Sequence, residues 1–347
     1  MDSATVAQLH DFDEVIDARS PSEFLDDHIP GARSLPVLDD AERASVGTLY
    51  KQTSPFEAKK QGAALVARNI ARHLDRHFSD KPKGWRPLVY CWRGGKRSGA
   101  LTHVLREVGF DAQQLEGGYK AYRRAVMADL DRLPCALQFH VVCGLTGTGK
   151  SRLLQALRLE GAQVLDLEAL ASHRGSVLGG LPLDRQPPQK LFESMVWDAL
   201  THMDPSQPVY VESESQRIGN LRVPDVLIQS MRQGRCLRVE ADRAVRLRLL
   251  KEEYAHFLED PDTLCRQLDY LVNRHGHGMV HAWKTLAAQG EWDALVADLL
   301  EKHYDPAYRQ SITRHFPQFL HARPVHVADS SDESLRQSAR LALSSAD

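Results

Sequence analysis

A chain of 347 residues has room for two domains, and its 42% hydrophobic content is ordinary for a globular protein. It carries no apolar run near the length of a membrane span, no basic start and apolar core of a signal peptide, and five cysteines with no C-x-x-C pair. These features argue against a membrane protein, a disulfide scaffold and a structural zinc site, and they point to a cytoplasmic protein; a net charge of −2 neither announces nor excludes a nucleic-acid binder, which needs only a local basic patch.

In chain order, Val15–Arg19 predicts a short strand. Ser20-Pro-Ser-Glu-Phe24 opens a helix with good N-terminal signals, and after a turn over Asp27–Arg33 the run Ser34–Leu38 predicts a second strand. Pro87-Leu-Val-Tyr90 reads as a buried strand that runs directly into Cys91. A glycine-containing loop, Trp92-Arg-Gly-Gly-Lys-Arg-Ser98, follows, and then a helix from Ala100 to about Val108. Phe110–Glu116 predicts a strand and Gly117-Gly118-Tyr119 a turn.

Loop N–H groups, the helix N-terminus and the cations Arg93, Lys96 and Arg97 all favour a thiolate at Cys91. Cys91 is therefore a candidate nucleophile or carrier of a soft atom, with Arg93, Gly94, Gly95, Arg97 and Ser98 forming its loop. Cys135, Cys143, Cys236 and Cys265 read as small core residues.

Asp17-Ala-Arg19, Glu23-Phe24, His28-Ile-Pro-Gly-Ala32, the Cys91–Ser98 loop and Leu115-Glu-Gly-Gly-Tyr119 resemble the rhodanese family over roughly residues 5–125. The resemblance implies a cysteine that carries sulfur or selenium as a persulfide or perselenide. The loop here is C-x5-R, one residue longer than the common sulfurtransferase loop and equal in length to the related phosphatase loop. That length suits an anion larger than a lone sulfur. Tyr90 stands where those phosphatases usually have His, which weakens a phosphatase reading.

Tyr119–Gln138 predicts a connecting helix. Phe139–Cys143 then reads as a buried strand leading into Gly144-Leu-Thr-Gly-Thr-Gly-Lys-Ser151 and a helix over Arg152–Arg158. This fits G-x-x-x-x-G-K-[ST] in the strand–loop–helix context the motif needs. Gly144, Thr146, Gly147, Thr148 and Gly149 shape a loop whose N–H groups face an anion, Lys150 adds a mobile charge, and Ser151 is placed to hold a magnesium ion. The motif names a diphosphate or polyphosphate, not a reaction.

Further strands are expected at Gln163–Glu168, Val209–Ser215, Arg235–Glu240 and Arg323–Val327, alternating with helices. Such alternation implies a parallel sheet with its ligand at the carboxyl ends of the strands. Asp166, Glu168, Glu212 and Glu214 lie at that edge as metal ligands, bases or helix caps, and His173 and Arg174 lie in a glycine-rich loop, Ser172–Gly180. Residues 241–321 read as helical. Arg243, Arg246, Arg248 and Lys251 form either a solvated face or a phosphate-contacting one, and Trp283, Trp292, Tyr304 and Tyr308 read as core. Asp332–Leu343 predicts a terminal amphipathic helix.

The expected fold class is α/β. Residues 1–128 form a rhodanese-like domain with a parallel sheet, 129–138 a linker, and 139–347 a P-loop NTPase-like domain with a helical C-terminal part. The ordered set C-W-R-G-G-K-R-S, L-E-G-G-Y-K-A-Y-R, G-L-T-G-T-G-K-S, D-L-E-x-L-A-x-H-R-G-S and V-E-S-E-S-x-R-I-G resembles the bacterial tRNA 2-selenouridine synthases. What the resemblance implies is an enzyme acting on 2-thiouridine at wobble position 34 of tRNAs for Lys, Glu and Gln. It geranylates the sulfur from geranyl diphosphate, then replaces it with selenium from selenophosphate. No tightly bound cofactor and no membrane are implied, with magnesium a candidate aid at the diphosphate. Trp92, beside Cys91, reads either as a stacking surface for an anticodon base or as a packing residue. The alternative is a P-loop kinase or NTPase with a rhodanese-like sensor domain.

Overall fold

The computed structural model describes residues 3–176, 178–180 and 185–344; Val177 of the glycine-rich loop and the ends of the expected domains, 1–2 and 345–347, lie outside them. The chain divides into two compact units, Met1–Asp129 with Pro188–Asp198, and Leu130–Pro187 with Ala199–Asp347.

The first unit is built on five parallel strands, β1 (Ser3–Ala4), β2 (Glu14–Asp17), β3 (Arg33–Ser34), β4 (Pro87–Tyr90) and β5 (Gln113–Leu115). Their spatial order is β1-β5-β4-β2-β3. β4 is apolar throughout because both its faces are covered. Helices α1 (Pro21–Asp26), α2 (Asp40–Gln52), α3 (Pro55–His73), α4 (Lys96–Val108) and α5 (Gly118–Leu130) surround the sheet. Ser20 and Glu23 form a capping box at the start of α1, as the S-x-x-E spacing predicts. Ile16, Val89, Leu101, Leu105, Trp85 and Phe110 centre the core.

Three expectations here are corrected. The strand expected over Ser34–Leu38 ends at Ser34, because Pro36 has no N–H to continue a ladder. The strand expected over Phe110–Glu116 is reduced to β5, with Phe110 and Ala112 packed into the core from a loop. The connecting helix ends at Leu130, and a separate 3-10 turn, Leu133–Ala136, carries the chain past Pro134.

The second unit holds another parallel sheet: β6 (Phe139–Cys143), β7 (Gln163–Leu165), β8 (Val209–Glu212), then, past a small hairpin of β9 (Arg217–Ile218) and β10 (Leu221–Arg222), β11 (Arg235–Ala241) and β12 (Pro324–Val327). The order β12-β11-β6-β8-β7 puts β6 in the middle. Helices α6 (Lys150–Leu159), α7 (Leu167–Ala171) and α9 (Asp225–Gln233) lie between these strands in the chain, as does α8 (Gln189–Thr201), most of which belongs to the first unit. The expected strand at Gln163–Glu168 is shorter than predicted. Asp166 leaves it to cap α7, accepting from the Ala169 N–H at 2.9 Å, so Glu168 sits on a helix.

The helical part comprises α10 (Arg243–Glu253), α11 (Ala255–Glu259), α12 (Pro261–Leu268), α13 (Val272–Ala288), α14 (Trp292–Leu299) and α15 (Asp305–His315). It packs round its own core of Phe257, Leu264, Trp283, Leu295 and Leu299. The terminal helix, α16 (Asp332–Leu343), has the predicted bounds and covers α6 with Leu335, Ala339 and Ala342.

Candidate functional site

In the second unit the loop after β6 turns at Gly147 (φ 79°) and Gly149 (φ 84°), and α6 begins at Lys150. Only glycine adopts such angles freely, so Gly147 and Gly149 are explained by backbone geometry, while Gly144 is needed because a Cβ there would meet the Val239 carbonyl at 2.5 Å. A cleft lies over the loop, lined among others by Thr146, Lys150, Ser151, Glu168, Arg174 and Glu212.

Lys150 Nζ lies 3.2 Å from Glu212 Oε1 and 5.4 Å from the centre of the Tyr308 ring. Burial disfavours its charge, but Glu212, Tyr308 and Glu168 outweigh burial and hold the ammonium above its ordinary value. The Ser151 hydroxyl donates to Glu212 at 2.9 Å and approaches Glu168 at 3.3 Å. Oxygens of Glu168, Glu212 and Glu214 lie within 4.8 Å of one another. Burial and the neighbouring Glu212 charge push Glu214 up to about 8 and Glu168 up to about 10. At neutral pH this corner therefore holds protons that free carboxylates would have lost. Three carboxylates and a hydroxyl are hard oxygen donors, the set that magnesium takes, so Ser151, Glu168, Glu212 and Glu214 fit that ion.

Arg174 donates to the Glu253 carbonyl and lies over the Tyr254 ring at 5.0 Å. His173 bonds locally to the Gly175 N–H at 3.1 Å and, like Asp166, is not among the cleft-lining residues. The structure thus gathers Lys150, Ser151, Glu168, Arg174, Glu212 and Glu214, and leaves Asp166 and His173 beside them.

The helical part contributes what the sequence did not flag. Tyr308, expected in the core, accepts the Gly144 N–H at 2.9 Å and lies 2.8 Å from the Ser213 hydroxyl. Arg246, expected on a solvated or phosphate-facing surface, is buried. It donates to the Thr146 carbonyl at 2.9 Å and to both oxygens of Asp305. Beside the cleft is an apolar cavity whose walls include Phe257, Leu264, Leu295 and Leu299, and it shares Thr146, Leu250, Tyr254 and Tyr304 with the cleft.

In the first unit, Cys91 follows β4 and is 2% exposed. Its Sγ accepts from Ser98 Oγ at 3.2 Å, and Gln114 Nε2 donates to that same hydroxyl at 2.7 Å. Gly94 and Gly95 take φ of 71° and 67° ahead of α4, the same device as in the P-loop. Arg97, expected to face an anion, is instead bonded to both oxygens of Glu23, at 2.6 and 3.2 Å. Burial opposes the Glu23 charge, and Arg97 overcomes it, holding the carboxyl below its usual value. Arg93 and Lys96 are exposed. Tyr90 is fully buried and accepts the Ile29 N–H at 3.2 Å. Of the remaining cysteines, Cys143 is buried as expected, whereas Cys135 is exposed, not core, and Cys236 and Cys265 are half-buried.

Residues 3–125 match the family model described as a rhodanese-like domain, and residues 137–269 match that of the tRNA 2-selenouridine synthase AAA domain. A tRNA 2-selenouridine synthase of Shewanella piezotolerans is 32% identical over 341 residues, 88% of this chain and 90% of that one. The chain belongs to the tRNA 2-selenouridine synthase family. Synthases of this family from Nitrosomonas europaea and Nitrosomonas eutropha are 37% and 36% identical over 244 and 230 residues, 69% and 65% of this chain. Those matches span 63% and 59% of the two relatives' own lengths. No helix among the described residues is long and apolar enough to cross a membrane.

Proposed function

We propose that this chain is a tRNA-modifying enzyme that converts 2-thiouridine at wobble position 34 of tRNAs for Lys, Glu and Gln to 2-selenouridine in two steps. In the first, the thiocarbonyl sulfur attacks C1 of geranyl diphosphate, the C–O bond breaks, and diphosphate leaves. In the second, the selenium of selenophosphate adds at C2 of the base, the geranyl thiol departs, and water cleaves the P–Se bond to release phosphate and leave the selenocarbonyl.

The observation that carries this reading is the shared wall between the P-loop cleft and the apolar cavity, made by Thr146, Leu250, Tyr254 and Tyr304. An anion cradle that shares a wall with an apolar cavity suits a ligand with a diphosphate head and an apolar tail better than a nucleotide with a polar sugar. Lys150, Arg174 and the loop N–H groups stabilise charge as the diphosphate leaves. A magnesium ion held by Ser151 and the three glutamates supplies further charge neutralisation when bound. Cys91, with its Ser98 hydrogen bond, steers the selenophosphate selenium toward C2 without forming a bond to it, and Gly94, Gly95 and Arg93 shape its loop. The protein works in the cytoplasm, where its tRNA substrate is.

The test is a nucleoside mass spectrum. The protein is incubated with 2-thiouridine tRNA and geranyl diphosphate without ATP, and selenophosphate is then added. A geranyl mass gain followed by conversion to the selenium nucleoside is expected. Unchanged tRNA with ATP hydrolysed in a parallel tube would favour a P-loop kinase or NTPase.

A further inference from the structure

Trp92 follows the buried Cys91 yet is 38% exposed. Its ring stacks on Tyr119, with centroids 5.2 Å apart and planes 27° apart. Tyr119 in turn lies over the Arg19 guanidinium at 4.1 Å. Arg19 is buried, bonded to both oxygens of Asp17 and to the Asp27 carbonyl at 2.6 Å, and the Tyr119 hydroxyl donates to Asp27 at 2.8 Å. The backbone is pinned as well. The Tyr119 and Lys120 N–H groups donate to the Cys91 and Trp92 carbonyls, and a side chain at Gly118 would meet the Cys91 carbonyl at 2.3 Å. Trp92 therefore stands on a fixed pile of Arg19 and Tyr119. Its loop also carries Arg93 and Lys96, exposed and without an ion pair among the described residues.

An exposed aromatic ring held rigid and flanked by two unengaged cations is the pairing that binds single-stranded nucleic acid: a base on the ring, phosphates on the cations. Resting on the tRNA reading above, we infer that Trp92 is the stacking platform for the target base, with Arg93 and Lys96 holding adjacent phosphates. Trp92 is a positioning residue: it holds the ring beside the Cys91 loop and takes no part in bond making. A tryptophan present only to cover Tyr119 would require neither cation.

The test is binding of two anticodon stem-loop RNAs to the full chain, one with 2-thiouridine at position 34 and one abasic there. The native protein is expected to prefer the base-containing RNA by about tenfold or more, the range of one base–aromatic stack. Trp92→Ala should abolish that preference and Trp92→Phe should retain part of it. The double change Arg93→Ala/Lys96→Ala should weaken both RNAs equally and flatten the salt dependence by about 0.7 per lost phosphate contact. Trp92→Ala with the native preference intact overturns the platform and leaves the proposed reaction standing. A native protein that binds neither RNA overturns both. Melting curves accompany each variant, and if Trp92→Ala does not fold, an unchanged preference in Trp92→Phe together with unchanged salt dependence in the double variant overturns the proposal.

Discussion

Lys150 already pairs with Glu212 at 3.2 Å, so an anion entering the cleft competes with that carboxylate for the ammonium. Lys150→Ala should slow geranylation about 10²–10³-fold, as loss of one charged donor to a leaving group does, read as S-geranyl tRNA formed per minute. Cys91→Ala should abolish selenium incorporation while leaving geranylation intact; equal loss of both products would contradict the division of labour. The glutamate cluster adds a pH dependence. Glu214 and Glu168 are raised from about 4.5 when folded, so the native state binds more protons than the unfolded one above that pH. Their contribution to stability is therefore greatest below about pH 4.5 and is lost as pH rises through 8 and then 10. In metal-free buffer, Glu214→Gln should melt higher than the native protein at pH 9 and show a flatter melting profile between pH 6 and 9. Cys91 and Lys150 were legible in the sequence because each sits in a motif of eight contiguous residues. Tyr308 was not, because its partner Gly144 is 164 positions away and a lone tyrosine in a helix carries no local signal.

At the level of elements, α15 ties the P-loop to the helical part. It supplies Tyr308 to the Gly144 N–H and Asp305 to Arg246, which holds the Thr146 carbonyl from α10. Asp305→Ala would leave a buried guanidinium half-satisfied. It should cost roughly 2–3 kcal/mol in urea unfolding, with diphosphate affinity falling as the loop loosens. The strands were legible wherever both faces are buried, as in β4 and β6, whose apolar runs stand out. They were overcalled wherever a proline or a cap ended the ladder early. Pro36 stops the strand after Ser34, and Asp166 turns β7 into α7, moving Glu168 from a strand end onto a helix that points it at Ser151. The basic run on α10 shows the limit of charge patterning. Arg243 and Lys251 face Glu301 and Asp293, while Arg246, at the same helical spacing, is a buried strut.

For the whole molecule, the α/β class and the helical C-terminal region followed from alternating patterns, but membership of the first unit does not follow chain order. Pro188–Asp198 completes it: Trp197 packs edge-on against Tyr122 and bonds Asp129 at 3.0 Å, Arg123 pairs with Glu193, and Lys190 bonds Asp26 at 2.7 Å. A fragment ending at Leu130 should therefore melt several degrees lower than one in which residues 188–198 are appended through a flexible linker, and the appended helix should protect Tyr122 from solvent in hydrogen exchange. The same arrangement has a consequence during synthesis. The strands of the first unit leave the ribosome early, but the helix that covers Tyr122 is encoded beyond residues 130–187. At about 5–20 residues per second that is a wait of several seconds. Through that interval a growing chain presents an aromatic surface and an Arg123 lacking its Glu193 partner to the cell, making this the stage at which a chaperone has most to hold.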